Sequence, residues 1–448
     1  MSSQESIIII GGGLAGCEAA WQLLRHEHPV TLYEMKPSVF SPAHRSAHLA
    51  ELVCSNSLRS NAIENAVGLL KEEMRMLNSL IMEAAAATAV PAGKALAVNR
   101  NQFSLYIEER LLTQKKIKII REEIREVPAH RIVIIATGPL TSNALSASIT
   151  NLTGSNYLYF YDAISPIIEG ESINFDRVFR SSRYDSDGGD YINCPMEKDE
   201  YEKFWIALKE GEDVPLRHFE EAKYFAGCLP VEHLARSGKD TLIFGPMKPV
   251  GLTNPKTGKQ PYAVVQLRQE DREGILFNMV GFQTKLTWPE QRRVFRMIPS
   301  LENAEFVRHG SIHRNTFINS PALLNNALQL RTNNMIFFAG QITGVEGYVE
   351  SAAMGLIAGL NASCVLSGRK NVPPPHTTAI GALLHYITHA DHKTFQPMNV
   401  NFGFFPPLAR KIRKKDRGLH YAYRALRALK EWQDNAGLSH QNPAALSS

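Results

Sequence analysis

The sequence predicts an α/β protein in which a parallel, Rossmann-like nucleotide-binding layer is interrupted by an inserted α+β domain. Three observations carry that expectation. A β-branched run, Ile7–Ile10, leads straight into Gly11-Gly12-Gly13-Leu14-Ala15-Gly16 and an amphipathic stretch. Two further strand-into-glycine segments, Arg131–Gly138 and Met335–Gln341, lie far away along the chain. Between them, from about residue 190 to 325, short apolar runs alternate with Gly, Pro and Asn clusters, a mixed or antiparallel pattern.

The first segment is the most specific. A strand, a GxGxxG turn, a helix and a second strand, Val30–Tyr33, ending in Glu34 form a dinucleotide-binding βαβ unit. Gly11 permits the tight turn, Gly13 lets the backbone approach a pyrophosphate, and Gly16 lets helix and strand pack closely. The pyrophosphate sits on the exposed N–H groups of the helix start. Glu34 accepts hydrogen bonds from a ribose, which disfavours a 2′-phosphate and points to FAD or NAD. A structural Gly-rich turn in a parallel sheet is the plainer alternative.

The expected organisation follows. Residues 1–190 and 326–448 are expected to form a discontinuous dinucleotide-binding domain, an FAD-binding domain of the glutathione-reductase type if the dinucleotide is FAD, with a helical basic C-terminal part, and residues 191–325 the inserted substrate domain. Gly344, Gly347 and a helix from Tyr348 to about Ala362 follow the third strand and offer a second helix start to a phosphate or flavin edge. In the insert, Thr241–Phe244, Ala263–Leu267 and Ile275–Val280 read as strands. Thr287-Trp288-Pro289-Glu290 opens a helix with a capping-box signature running to Ile298. Residues 62–87 read as one helix whose stripe of Leu69, Leu70, Leu77 and Ile81 is core. After Pro373-Pro374-Pro375, helices are expected from Thr378 to His389 and from about Gly418 to Trp432.

At 448 residues, with 44% hydrophobic and 21% charged residues, the chain is long enough for two cores and is ordinary globular material. The N-terminus lacks the pattern of a signal peptide, and no apolar run approaching roughly 18 residues is expected, so the reading is cytoplasmic with no membrane contact. Five cysteines without a C-x-x-C pair argue against a disulfide framework and against a metal site. The net charge of +5 is concentrated: Arg410, Lys411, Arg413, Lys414, Lys415 and Arg417 surround one acid, Asp416. Near Phe402, Phe404, Phe405, Tyr421 and Tyr423, that segment suits a polyanion such as RNA, with a solvated helix face as the equal alternative.

Two cysteines sit in settings that suit chemistry. Cys54, in Glu51-Leu52-Val53-Cys54-Ser55-Asn56-Ser57-Leu58-Arg59, reads as a loop thiol before a helix, a setting in which positive charge and the helix dipole can depress a thiol pKa, with a buried inert cysteine as the equal alternative. Cys228 lies in a turn between Gly227 and Pro230, close to Glu232. Cys17, Cys194 and Cys364 read as structural. His309, Ser311, His313, Arg314 and Asn315 form a polar cluster at the end of the insert. With no second GxGxxG, a nicotinamide has to dock transiently.

These motifs resemble a bacterial family, the folate- and FAD-dependent tRNA (uracil-5-)-methyltransferases known as TrmFO. The resemblance is nearly full length and rests on GGGLAGCEAAWQL at 11–23, AELVCSNSLRSNAIENAVGLLKEEMR at 50–75, GCLPVE at 227–232, FAGQITGVEGYVESAAMGL at 338–356 and NFGFFPPL at 401–408. It implies transfer of a one-carbon unit from 5,10-methylenetetrahydrofolate to C5 of the T-loop uridine of tRNA, forming 5-methyluridine. FAD is the bound cofactor and NAD(P)H the reductant. It implies Cys228 as the nucleophile at uracil C6, with Cys54 near the flavin, and tRNA gripped through the T-arm. The cofactor contacts expected are Gly11, Gly12, Gly13, Leu14, Ala15, Gly16, Glu34, Asn56, Gly340, Gln341, Gly344, Gly347 and Tyr348. The alternatives are the same chemistry on a ribosomal RNA uridine, and a non-catalytic flavin-bound RNA-binding protein. A sister family acting on the wobble uridine is disfavoured by GCLPVE and NFGFFPPL. The oligomeric state is open, with a monomer as the working expectation.

Overall fold

The computed structural model describes residues 6–129, 131–155, 158–183, 189–215 and 229–438. The strand β1 (Ile7–Ile10) is buried at every position, as a β-branched run covered on both faces of a parallel sheet should be. It pairs in parallel with β2 (Val30–Tyr33) on one side and Val133–Ile135 on the other, setting Ile9 opposite both Leu32 and Ile134. Ile117–Ile120 extends the sheet beyond β2, and Asn333–Phe338 extends it beyond Val133–Ile135, with Gln329–Leu330 antiparallel at the edge. The three strand-into-glycine segments of the sequence are therefore neighbours in one six-stranded sheet.

The helix α1 (Leu14–Arg25) covers this sheet and packs on the helix Tyr348–Leu366 at very short range. A Cβ on Gly355 would lie 2.2 Å from the Ala15 carbonyl oxygen, and one on Gly359 would lie 2.7 Å from that of Ala19. Only residues lacking a side chain allow the two backbones to approach so closely. The Tyr348–Leu366 helix corrects one expectation: it has a mean hydropathy of 1.5 over 18 residues, long and apolar enough by composition to cross a bilayer. With 83% of that window buried, it is the central core helix of the nucleotide layer.

The chain leaves this layer along Leu158–Ile164 and returns along Ser311–Phe317, and these two strands pair antiparallel as a ribbon. Beyond the ribbon lies a second, six-stranded antiparallel sheet in the order Phe179–Arg180, Tyr191–Met196, Ala263–Gln269, Leu276–Met279, Ile167–Glu169, Phe306–Arg308. It has its own apolar core, built with the helices Lys198–Glu210 and Trp288–Phe295. Its strand pairing begins at Ile167, ahead of residue 191.

Three local expectations change. Residues 62–87 form two helices, Ala66–Met76 and Leu80–Ala87, because Asn78 adopts φ +56° and Ser79 caps the second by accepting from the Met82 N–H. Buried Glu18 holds that break from outside by accepting from the Ser79 hydroxyl and the Ile81 N–H. Thr241–Phe244 is a single helical turn rather than a strand. At Thr287 no capping box forms: its N–H donates to the Glu212 carbonyl, while Glu290 is paired with Arg293. The helix it opens ends at Phe295 rather than Ile298.

Candidate functional site

A cleft of about 1070 Å³, including its open mouth, runs across the carboxyl ends of β1, β2 and Val133–Ile135. In an open parallel sheet this is where ligands bind. Its floor is the glycine turn. Gly11 has φ +105°, and a Cβ there would lie 2.6 Å from the Ala136 carbonyl oxygen. A Cβ on Gly16 would lie 1.8 Å from the Gly11 carbonyl oxygen. Gly13 by contrast has no atom within 4 Å of its Cβ position, so its open side faces the cleft. α1 begins there with no side-chain cap and no acid in its first turn, which leaves its first N–H groups and the positive end of the helix dipole to a ligand.

Glu34 ends β2 with its side chain against this turn. Its carboxylate accepts from the Gly12 N–H at 2.9 Å and from the Lys36 N–H at 3.0 Å. Each oxygen retains a lone pair for a ribose hydroxyl. Open backbone at Gly13, unspent N–H groups on α1 and an acceptor at Glu34 together fit the adenosine diphosphate half of FAD.

The other end of the cleft is made by Gly340, Gln341, Tyr348 and Ser351. Gly340 turns with φ +80°, and a Cβ there would lie 2.7 Å from the Ala15 side chain. Gln341 donates to Glu346 at 2.7 Å. The Tyr348 hydroxyl accepts from the backbone N–H of Cys54 at 2.6 Å and of Ser55 at 3.2 Å. Burial pushes the Tyr348 phenol pKa up, so it stays protonated and neutral at physiological pH. Tyr348 thus ties the Cys54 loop to the start of a core helix.

Arg100 holds the same loop from the other side. Its guanidinium donates to the Leu52 carbonyl at 2.5 Å and to the Cys54 carbonyl at 3.3 Å, and forms a buried ion pair with Glu270 of the inserted sheet. Cys54 is half-buried. A strand, Ser57–Ser60, follows it instead of the expected helix, so the dipole expected from the segment after Cys54 is not there. Positive charge reaches it from Arg100 and Arg308. Arg59 points elsewhere and pairs with buried Glu350.

Several expected cofactor contacts are placed apart from the cleft. Asn56 is fully buried, donating to the Val98 and Gln269 carbonyls at 3.1 and 2.9 Å and accepting from Arg268 at 2.9 Å. Its side chain is a clamp between the two layers, with its hydrogen bonds already made. Gly344 and Gly347 have φ +84° and +105°, and Cβ atoms there would meet the Phe395 ring at 2.4 Å and Glu350 at 2.5 Å. Both are demanded by packing, as is Gly16. Gly11, Gly12, Gly13, Leu14, Ala15, Glu34, Gly340, Gln341 and Tyr348 do line the cleft.

Cys228 lies outside the described residues. The segment after it is anchored: the Val231 N–H donates to the Gln283 carbonyl at 2.7 Å. Buried Glu232 accepts from the Thr284 hydroxyl and the Lys285 N–H, both at 2.8 Å. Cys17 is fully buried and its thiol donates to the Gly12 carbonyl. Burial pushes the Cys194 thiol up to about 12 and raises that of Cys364. In the polar cluster, Ser311 and His313 share a 2.9 Å hydrogen bond, and burial beside Arg308 drives the His313 pKa down to about 4. Asn315 is buried, and the Arg314 side chain lies outside the described set. Among the described residues no group of His, Cys, Asp or Glu could hold a metal ion.

Arg410, Lys411, Arg413, Lys414, Lys415 and Arg417 are all exposed. Arg413 pairs with Asp416, and Arg417 donates to the Ile412 carbonyl at the start of the helix Arg417–Asn435. Phe402 is stacked on Tyr421 at 4.9 Å, so those two rings are spent on packing, whereas Tyr423 is exposed.

Sequence reasoning missed Lys36, His44, Thr137, Thr141, Ser142 and Ser351, which also line the cleft. The strand ending in Gly138 pointed to the Thr137–Ser142 turn, and the strand ending at Glu34 pointed to Lys36. Nothing local marked His44.

The model of the family described as glucose inhibited division protein A matches residues 6–370. The methylenetetrahydrofolate--tRNA-(uracil-5-)-methyltransferase TrmFO of Syntrophus aciditrophicus is 66% identical over 98% of this chain and 100% of its own length. The proteins of the same name from Heliobacterium modesticaldum and Geobacter sulfurreducens are 60% and 59% identical, each over 95% of this chain and 98% of their own. Among solved structures, Aquifex aeolicus GidA in its form II crystal superposes with a TM-score of 0.69 at 16% identity, over 100% of this chain and 76% of that one.

Proposed function

The chain belongs to the glucose inhibited division protein A family and, within it, to the TrmFO methyltransferases, and from that membership we propose how it acts. It is a methylenetetrahydrofolate--tRNA-(uracil-5-)-methyltransferase, an FAD- and folate-dependent enzyme that forms 5-methyluridine in tRNA. The observation that carries this reading is 66% identity along essentially the whole length of a relative bearing that name. The finer statements are that the T-arm is the part of tRNA engaged, that NAD(P)H is the reductant, and that the enzyme acts in the cytoplasm as a monomer. The division of labour between a flavin-holding layer and an inserted substrate domain belongs to the same proposal.

The residues take the following roles. The first N–H groups of α1 and the open backbone of Gly13 receive a pyrophosphate, while Glu34 accepts from ribose hydroxyls. Gly340, Gln341 and Tyr348 border the end where the ring system reacts. Bound there, the flavin supplies the redox chemistry that turns folate's methylene group into a methyl. C5 of uracil is a weak nucleophile until a thiolate adds at C6, and Cys228 is that thiolate. Cys54, held by Tyr348 and Arg100 beside the cleft, keeps a second thiol at the reacting end. The target base has to leave its stack to reach these groups, and the basic segment 410–417 grips the RNA backbone while it does.

Labelled methyl transfer to unmodified tRNA, with methylenetetrahydrofolate and NADPH supplied and S-adenosylmethionine absent, tests the reading. Label at the T-loop uridine is expected, and Cys228→Ala should abolish it while the flavin absorbance remains. No label in tRNA, with label appearing when ribosomal RNA is supplied in its place, would move the target. Full activity of Cys228→Ala would remove the nucleophile assignment.

A further inference from the structure

Trp288 opens its helix with 54% of its surface exposed. Its indole is stacked on the His309 imidazole, with centroids 5.1 Å apart and planes 18° from parallel. His309 in turn stacks on Phe306 at 5.5 Å and 23°, and Phe306 packs against the core of the inserted sheet. The result is a three-ring ladder rooted in a core and ending at a solvent-facing indole.

The ladder is rigidly held. The Gln291 amide donates to the Leu286 and Gly310 carbonyls at 2.7 and 3.0 Å, and its oxygen accepts from the Gly310 N–H at 2.7 Å. One side chain thereby fixes Leu286, two residues before Trp288, and Gly310, next to His309. The His309 Nε2 atom is buried without a hydrogen-bond partner among the described residues, so the faces of its neighbours hold the ring. Burial and Arg292 push its pKa down, keeping the imidazole neutral beneath the indole.

Its position ties it to the chemistry. The 283–285 segment that leads into Trp288 is the same one that anchors Val231 and Glu232, just after Cys228. On the other side, Arg308 adjoins His309 in sequence and lies within Coulombic reach of Cys54 and Tyr348. Exposed Arg292 completes the surroundings, whereas Arg293 and Arg296 are paired with Glu290 and Glu305.

We propose that Trp288, seated on His309 and Phe306, is a stacking platform for a nucleobase of the RNA other than the target uridine, with Arg292 meeting a neighbouring phosphate. This rests on the RNA-methylating function proposed above. Extruding a uridine leaves its neighbour without a stacking partner, and a flat indole replaces that face without regard to base identity.

The test measures tRNA affinity, KM and tryptophan fluorescence for the holoenzyme and for Trp288→Ala and Trp288→Phe, with flavin absorbance as the check on folding. Trp288→Ala should weaken tRNA binding about tenfold and raise KM in step with little change in kcat, while Trp288→Phe stays within about threefold of wild type. Quenching of tryptophan emission by tRNA should be largely lost in Trp288→Phe, a readout that a merely structural tryptophan would not move. Unchanged affinity in Trp288→Ala, or full quenching in Trp288→Phe, overturns the proposal. So does a change in sedimentation of the free protein with RNA affinity intact, which would make the face an interface between copies. Methyl transfer by the wild-type enzyme separately decides the underlying function, so the two failures are distinguishable.

Discussion

Gly13 and Gly16 stand three residues apart in one turn, yet the spaces around them are opposite: one is open and the other is filled by backbone. Gly16→Ala must displace the Gly11 carbonyl, and overpacking of that kind costs about 1–3 kcal/mol. The Cβ that Gly13→Val adds has no protein atom within 4 Å, so its cost falls on the ligand. The expected result is a lowered melting temperature for Gly16→Ala, and near-normal stability with loss of flavin absorbance for Gly13→Val. A flavin-replete Gly13→Val protein would refute the assignment of its open side to the pyrophosphate. These residues are legible in the sequence because a GxGxxG turn encodes its own geometry within six positions. Asn56 is not, because its three partners, Val98, Arg268 and Gln269, come from distant segments that only the folded chain brings together. His44 reaches the cleft from a loop with no periodic pattern to announce it.

Elements with local start signals are readable in the same way. The helix Ala379–His389 begins at Thr378, whose hydroxyl accepts from the Gly381 N–H, as the sequence suggests. Residues 62–87 read as one helix because their apolar stripe continues through the Asn78–Ser79 break, and the carboxylate supporting that break belongs to Glu18 on another helix. Thr241–Phe244 has the composition of a strand, but it is a single helical turn whose Leu242 enters the core of the insert. The basic segment 410–417 carries six exposed cations, which both of its readings require. Replacing Arg410, Lys411, Lys414 and Lys415 by glutamine should weaken tRNA binding and flatten the dependence of log affinity on log salt by up to about 0.9 for each phosphate no longer neutralised. An unaltered slope in a salt titration would return the segment to an ordinary solvated surface.

At the scale of the whole molecule, the two layers meet at the Cys54 loop, where Arg100 and Glu270 form an ion pair with side chains only 15% and 4% exposed. Arg100→Met leaves a buried carboxylate unpaired and should destabilise the protein by about 3–5 kcal/mol in denaturant unfolding, with much of the loss recovered in Arg100→Met/Glu270→Leu. A loss under about 1 kcal/mol for the single variant would show that the pair does not join the layers. Joining by such nonlocal pairs is the part of the architecture that no stretch of sequence announces, even though each layer is patterned clearly by itself. The close packing of α1 on the Tyr348–Leu366 helix has a consequence during synthesis. The Ala15 and Ala19 surface is made near the start of translation, but Gly355 and Gly359, which fill it, are made near the end. At about 5–20 residues per second the nascent chain carries that apolar face uncovered for roughly 20–70 s. Both ends of the cleft are complete only once the ribosome has passed residue 351, so flavin loading is a late event, and a chain terminated before Gly340 holds only the adenosine half of the site.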